Sequence, residues 1–432
     1  MVGQGVKNEE ILFRGVVKWL ILAGICGLVT GSVVGLFLIV LFRCIDFVDA
    51  LPDWKVMLIP VGLLASLYSI KIFAPAAAGH GTDKVIAAIH YKGGKVPFKV
   101  VPVKIIATLF TLAPGCVVGT EGPGVQIGAG LMSGLADRLN MSEKERKKLV
   151  VCGAAAALSS VFGAPVAGAV FGVEVLFVGE LFYPILLPAL ISGITAYMVC
   201  LQLGVPYNMP VPDIPVLDPS VLLWCIPAAV FFGAVCIFHI GFMHFISRLF
   251  QKIRWPDWVK SLISAVLILG VVAFFGETFL GMGERGLNQV LSGSALAWYA
   301  LGVKSFLLAV TLCGGGSGGV LTPTFYIGAA AGGLFAEVCG LDVGFFGALG
   351  FVGCIAGAVN TPLAAVFLAV ELFGAQMAPF AGMVCIVSYM ISGARSLYPT
   401  QILIRPKSDD FVLADPQDKK SWEIKPIENS AK

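Results

Sequence analysis

Long apolar runs follow one another along the chain, separated by short polar or glycine-rich breaks. Residues 19–42 and 56–73 are each long enough to cross a bilayer, which takes about 20 apolar residues. Residues 74–81 (Ala-Pro-Ala-Ala-Ala-Gly-His-Gly) break the pattern. The apolar stretch 85–89 is too short to cross and predicts a half-helix or a loop dipping into the protein. Residues 100–118 predict another span, and a helix is predicted from Pro123 to about Leu139. Residues 149–178 are apolar but interrupted at Gly163-Ala164-Pro165, where proline breaks or kinks a helix. After a run at 183–203, residues 206–219 are rich in proline and polar side chains and read as a linker between two halves. Runs at 222–250, 259–275 and 301–312 precede a second glycine-rich turn, 313–323. Runs at 325–338, 345–359, 363–373 and 379–391 close the core. The pattern predicts an all-α polytopic membrane protein with broken, tilted and re-entrant helices. Its expected organisation is a cytoplasmic N-terminal segment (1–15), a transmembrane core (16–405) and a short cytoplasmic tail (406–432), too short for a regulatory domain.

Composition sharpens this picture. The chain is 58% hydrophobic and 13% charged, with mean hydropathy +0.91, whereas soluble domains carry about 25% charge. The net charge of +3 says little, but its distribution says more. Lys92, Lys95, Lys99 and Lys104 form one basic cluster, Lys144, Arg146, Lys147 and Lys148 a second, and Lys7, Arg14 and Lys18 a third. The positive-inside rule puts these segments in the cytoplasm, with both termini there and the core in the cell membrane. The polar start and the long first run argue against a cleaved signal peptide. The 11 cysteines contain no CxxC pair and read as small buried hydrophobes. HExxH and P-loop motifs are absent, and nothing calls for nucleic acid, a metal or an enzymatic cofactor. His239 and His244 read as helix-end or headgroup residues.

One carboxylate stands out. In Gly119-Thr120-Glu121-Gly122-Pro123-Gly124 the glycines permit a sharp turn and leave backbone N–H groups uncovered. Pro123 suits the first turn of a helix. A helix starting within apolar surroundings presents free N–H donors and a positive dipole end, which together attract an anion. Glu121 is placed to be that anion or to compete with one that passes. An ionisable group inside a membrane is costly and points to function.

The chain also repeats itself. Pro123 and Pro323, Ile127 and Ile327, Gly128 and Gly328, and Ala129 and Ala329 lie 200 residues apart. An offset of 197 aligns Pro165 with Pro362 and Glu174 with Glu371. Two halves, about 20–205 and 220–405, with broken helices in matching places predict a binding site where they meet near mid-membrane.

With these residues in view, the chain resembles the CLC family of chloride channels and proton-coupled anion exchangers. Residues 119–123 look like the family's G(K/R)EGP element, and Gly318-Gly319-Val320-Leu321-Thr322-Pro323 looks like its GxFxP element. Gly79-His80-Gly81 sits where the family has GSGIP, and Tyr398 matches its pore tyrosine. The similarity runs over nearly the whole core. It implies a homodimer with one pore per subunit, inverted repeats, and a halide, chloride by default, held by helix N-termini, a side chain and the tyrosine. Carried over residue by residue, Glu121 becomes the gating glutamate. The anion site becomes Gly79, His80, Gly81, Gly119, Gly122, Gly319, Val320, Leu321 and Tyr398.

Four departures matter. Thr120 replaces the usual basic neighbour of the gate, which weakens outer attraction for anions. His80 replaces the central serine and Leu321 the phenylalanine. Val175 occupies the place of the inner glutamate of proton-coupled members, and a valine takes up no proton. The expectation is therefore an anion channel or a passive, weakly coupled transporter gated by Glu121. Two alternatives stay open: a proton-coupled antiporter routed through Glu174 or Glu180, and a fluoride-selective member. Glu174 and its counterpart Glu371 also read as structural acids. His80 reads as a pore-facing imidazole or as a loop histidine paired with Asp83.

Overall fold

A computed structural model describes the backbone of residues 2–408, 410–413 and 424–426. Among them the first half contains α1 (Val2–Asp49), α2 (Leu58–Phe73), α3 (Gly81–Tyr91), α4 (Val100–Leu112), α5 (Glu121–Arg138), α6 (Glu143–Phe162), α7 (Pro165–Glu174) and α8 (Leu186–Leu203). The second half repeats the order with α9 (Pro219–Lys252), α10 (Asp257–Phe275), α11 (Glu284–Leu291), α12 (Ala300–Cys313), α13 (Leu321–Cys339), α14 (Val343–Val359), α15 (Pro362–Phe373) and α16 (Ala378–Ile391). Five helical stretches are long and apolar enough to cross alone: Phe13–Asp49, Asp53–Phe73, Tyr183–Leu203, Pro219–Lys252 and Asp257–Phe279. The others are broken helices, tolerable at membrane depth because other protein elements bury their ends.

Matching breaks have matching causes. Gly163 (φ 66°) closes α6 in the left-handed conformation, and Pro165 opens α7. Asn360 (φ 59°) and Pro362 do the same between α14 and α15. Glycine contacts also repeat. A Cβ on Gly128 or Gly153 would strike the other's carbonyl, and Gly328 and Gly350 form the same reciprocal contact between α13 and α14. Small residues at these crossings let the backbones touch, which is how helices associate in lipid.

The two halves meet about a local two-fold. Gly119 N–H donates to Gly319 O (2.8 Å), and Gly319 N–H donates to Gly119 O (2.7 Å). Beside this pair, Ser317 N–H donates to the Thr111 hydroxyl (2.9 Å) and Val117 N–H to the Thr311 hydroxyl (3.3 Å). The acids predicted to be structural are exchanged across the halves. Glu174 at the end of α7 accepts from the amides of Leu363 and Ala364 that open α15 (3.0 and 2.8 Å). Glu371 near the end of α15 accepts from Val166 and Ala167 that open α7 (2.9 and 2.8 Å). Each helix therefore satisfies the orphan donors of its repeat partner.

Several expectations change in detail. The span expected over 100–118 ends at Leu112, because Pro114 and Gly115 (φ 99°) turn the chain back into the protein. The helix expected from Pro123 begins at Glu121, so the acid belongs to the first turn itself. The backbone of 2–15 is continuous with α1. His239 lies well inside α9, is 1% exposed, and approaches the hydroxyls of Ser305 (2.9 Å) and Thr324 (3.3 Å). It is not a headgroup residue, because α9 passes through the protein interior. At the end of the core, β2 (Ile402–Leu403) pairs in parallel with β1 (Phe177–Val178), and in the tail β3 (Phe411–Leu413) pairs with β4 (Ile424–Pro426). Residues 409, 414–423 and 427–432 of the expected tail lie outside the described residues.

Where the basic loop meets α1, Ser142 caps α6 in a reciprocal box with Glu145, whose carboxylate also pairs with Lys18. Lys18, and then Ser142, hold the Glu145 carboxyl down at about 2. A depressed carboxylate stabilises the fold above its unfolded pKa, and that contribution is lost as pH falls toward the folded value. The pair is partly exposed, so Glu145→Gln is expected to cost only about 0.5–1 kcal/mol at pH 7. Thermal unfolding of both proteins across pH should show the difference shrinking between about pH 5 and pH 2.

Candidate functional site

Three helix beginnings converge at the centre of the fold. α5 starts at Glu121, α13 at Leu321 and α3 at Gly81. Each is preceded by glycine, which allows the approach. A Cβ on Gly319 or Gly119 would collide with the Glu121 carboxylate, and one on Gly81 would collide with the Gly122 carbonyl. The Gly119–Gly319 bridge fixes the first two starts relative to each other.

Glu121 is fully buried. One carboxylate oxygen accepts from the Leu321 amide (2.6 Å) and the other from the Thr322 hydroxyl (2.8 Å). An acid from the first half is thus solvated by the first turn of the second half, where the helix dipole favours negative charge. The donors that hold the carboxylate are of the kind that hold an anion.

On the α3 side, His80 is the N-cap residue and its ring lies 5.8 Å from the Tyr398 ring, centroid to centroid. His80 Nδ1, the Thr82 hydroxyl and the Tyr398 hydroxyl are all buried without a partner among the described residues. Buried polar atoms rarely stay unsatisfied, so this convergence marks a place for a ligand or ordered water. Their hydrogens suit an anion. Asp83 does not pair with His80. It accepts from the backbone N–H and hydroxyl of Thr400 (3.0 and 2.6 Å), tying α3 to the segment that carries Tyr398.

Sequence reasoning missed the supports of this turn. Lys104, fully buried, donates to the carbonyls of Ala77 (3.0 Å) and Gly79 (2.6 Å). The Gln126 amide donates to Ala76 O (2.9 Å). Gly79 (φ 72°) thereby turns its carbonyl to Lys104. Lys304 does the same in the other half, donating to Phe279 O (3.0 Å) and Gly281 O (2.9 Å). The signal was available: Lys104 and Lys304 lie 200 residues apart, the offset already seen at Pro123 and Pro323. Thr322 was within the glycine-rich motif but was not singled out.

Of the predicted anion-site residues, Gly79, His80, Gly81, Gly119, Gly122, Gly319, Val320, Leu321 and Tyr398 all lie on these three helix starts or on the segment tied to them. Glu174 and Glu180 lie apart. They line a cavity of about 540 Å³ with Asn360, Tyr389 and Arg405. It opens at the end of the fold that carries the basic loop after α3, since His90 approaches the Leu176 carbonyl (2.9 Å). Val175, beside Glu174, is buried.

The profile of the family described as voltage gated chloride channel matches residues 61–393. The chain belongs to this family. A chloride/fluoride channel protein of Pseudomonas syringae pv. tomato is 34% identical over 96% of this chain and 95% of its own length. The H(+)/Cl(-) exchange transporter ClcA of Yersinia pestis bv. Antiqua is 26% identical over 82% of this chain and 80% of its own. A crystal structure of a CLC-type fluoride/proton antiporter superposes with a TM-score of 0.84 at 26% identity, covering 89% of this chain and 98% of the other. Family membership makes the chain an anion transport protein of the membrane, and the resemblance drawn from the motifs holds.

Gly319→Ala tests the closeness of the seat. The added methyl has no room beside Glu121, so the variant is expected to lose about 1–3 kcal/mol of stability by overpacking. Gly302→Ala, which meets nothing within 4 Å, is the matched control. Equal unfolding midpoints for the two variants would contradict the packing described.

Proposed function

We propose that the protein exchanges fluoride for protons across the membrane, with Glu121 acting as both gate and proton carrier. The observation that carries this reading is the Glu121 carboxylate bound to the Leu321 amide and Thr322 hydroxyl. Only one negative group fits those donors at a time. A proton on Glu121 removes its charge and frees the seat for an anion. An anion that fills the seat leaves the carboxylate to find a proton elsewhere. Competition for one set of donors therefore couples the two ions without a second acid in the pore.

The choice of fluoride rests on two supports. The names of a 34% identical relative and a structurally similar protein both contain fluoride. Locally, His80 replaces a hydroxyl at the inner part of the path, so the donor offered to the ion is an imidazole N–H. Fluoride is small and strongly hydrated, and it gains most from short bonds to strong donors. The inner end of the proton path is assigned to the cavity that joins Glu180 at its rim to Glu174 in its wall. Val175 supports a second reading, passive anion flux, in which that cavity carries no proton.

Reconstituted liposomes loaded with fluoride and monitored by a fluoride electrode and a pH electrode separate the two. Exchange predicts that an imposed pH gradient drives fluoride uphill, and that Glu121→Gln abolishes proton movement. Fluoride that moves only down its gradient, with no proton flux in the parent protein, would establish passive flux instead. His80→Ser is expected to shift selectivity from fluoride toward chloride in the same assay. Unchanged selectivity would place His80 outside the ion's path.

A further inference from the structure

On the outer surface of the first half, α1 and α4 leave an open groove of about 570 Å³. Its walls are apolar, with Val40, Phe47, Ile106 and Phe110 all exposed along it. The single charged side chain in its lining is Arg43. Among the described residues Arg43 has neither an ion pair nor a hydrogen bond. The acid two turns along α1, Asp49, is engaged by Lys55 and Arg285 (both 3.6 Å).

Depth identifies what Arg43 faces. Lys18 marks one membrane surface, because it pairs with Glu145 in the basic loop. Arg43 lies 25 residues further along the same helix, or about 38 Å at 1.5 Å per residue. The bilayer is about 30 Å thick in its hydrocarbon core and about 40–45 Å with its headgroups. Arg43 therefore stands at the phosphate level of the opposite leaflet, midway along the groove: on α1, Val40 lies toward the acyl chains and Phe47 and Val48 lie toward the outer surface. Beyond Arg43, across Val48 and Ala113, the groove adjoins a polar cavity of about 140 Å³ lined by Asp49, Lys55, Glu277, Glu284 and Arg285. Apolar walls, an unpaired guanidinium and a polar chamber thus adjoin one another, as do the acyl chains, phosphate and headgroup of a phospholipid.

We propose that this groove is a binding site for one glycerophospholipid of the outer leaflet, with its phosphate on Arg43. Guanidinium suits a phosphodiester because it offers two parallel donors at once. The site is independent of the anion seat and of any coupling between anion and proton.

Native mass spectrometry of the full-length protein in detergent tests it, with phosphatidylglycerol and diacylglycerol of the same chains as probes. The parent protein is expected to retain one phosphatidylglycerol about fivefold better than diacylglycerol, the ratio given by about 1 kcal/mol for one cation near the surface. Arg43→Gln is expected to bring the ratio to about one, and Arg43→Lys to restore most of it. Because Arg43 is exposed, both variants should fold, which an unchanged elution profile and unfolding midpoint would verify. Equal retention of the two lipids by the parent, or no change in Arg43→Gln, overturns the proposal. A shift in oligomeric state on Arg43→Gln also overturns it, since the groove would then be covered by a second copy.

Discussion

A carboxylate buried in a low-dielectric interior must be solvated by the protein, and the fold is arranged around meeting that requirement at Glu121. Moving an unpaired carboxylate into such surroundings is prohibitively unfavourable. Here the compensation comes from the opposite repeat, through the amide of Leu321 and the hydroxyl of Thr322 at the start of α13. The two short backbone bonds between Gly119 and Gly319 bring the helix starts close enough for this. Any side chain on either glycine would occupy the space of the carboxylate. Charge, glycine and repeat symmetry are therefore one constraint seen from three sides.

The same electrostatic rule governs the other buried charges. Glu174 and Glu371 rest on helix beginnings, where N–H groups are exposed. Lys104 and Lys304 rest on carbonyls of the turns that precede short helices. Acids at amides and lysines at carbonyls keep each charge hydrogen-bonded without a direct ion pair among the described residues. What distinguishes Glu121 is its surroundings. Nearby, His80 Nδ1, the Thr82 hydroxyl and the Tyr398 hydroxyl have no protein partner among the described residues. Glu174 has a local seat on the amides that open α15, which suits a fixed cap.

The polar supports fix the turn that carries His80. Lys104 and Gln126 pin the turn before it, and the Asp83–Thr400 bonds pin the Tyr398 segment behind it. The imidazole and phenol are thus set by neighbours whose own hydrogen bonds run to the backbone. A side chain fixed in this way has little conformational freedom left to lose.

The sequence alone determined that the chain is an α-helical membrane protein of two related halves, because apolar run length and proline and glycine breaks are local properties. It also picked out Glu121, since a helix start inside an apolar stretch is visible as Gly-Thr-Glu-Gly-Pro. Tertiary structure alone decided which groups hold that carboxylate, because Leu321 and Thr322 lie 200 and 201 residues away. It decided that Glu174 caps α15, that Asp83 serves Thr400 rather than His80, and that His239 is interior. Hydrogen bonds between distant turns leave no periodic trace in the chain. Their legible signs were the repeat offsets: 200 residues pairs Lys104 with Lys304 as it pairs the two prolines, and 197 pairs Glu174 with Glu371.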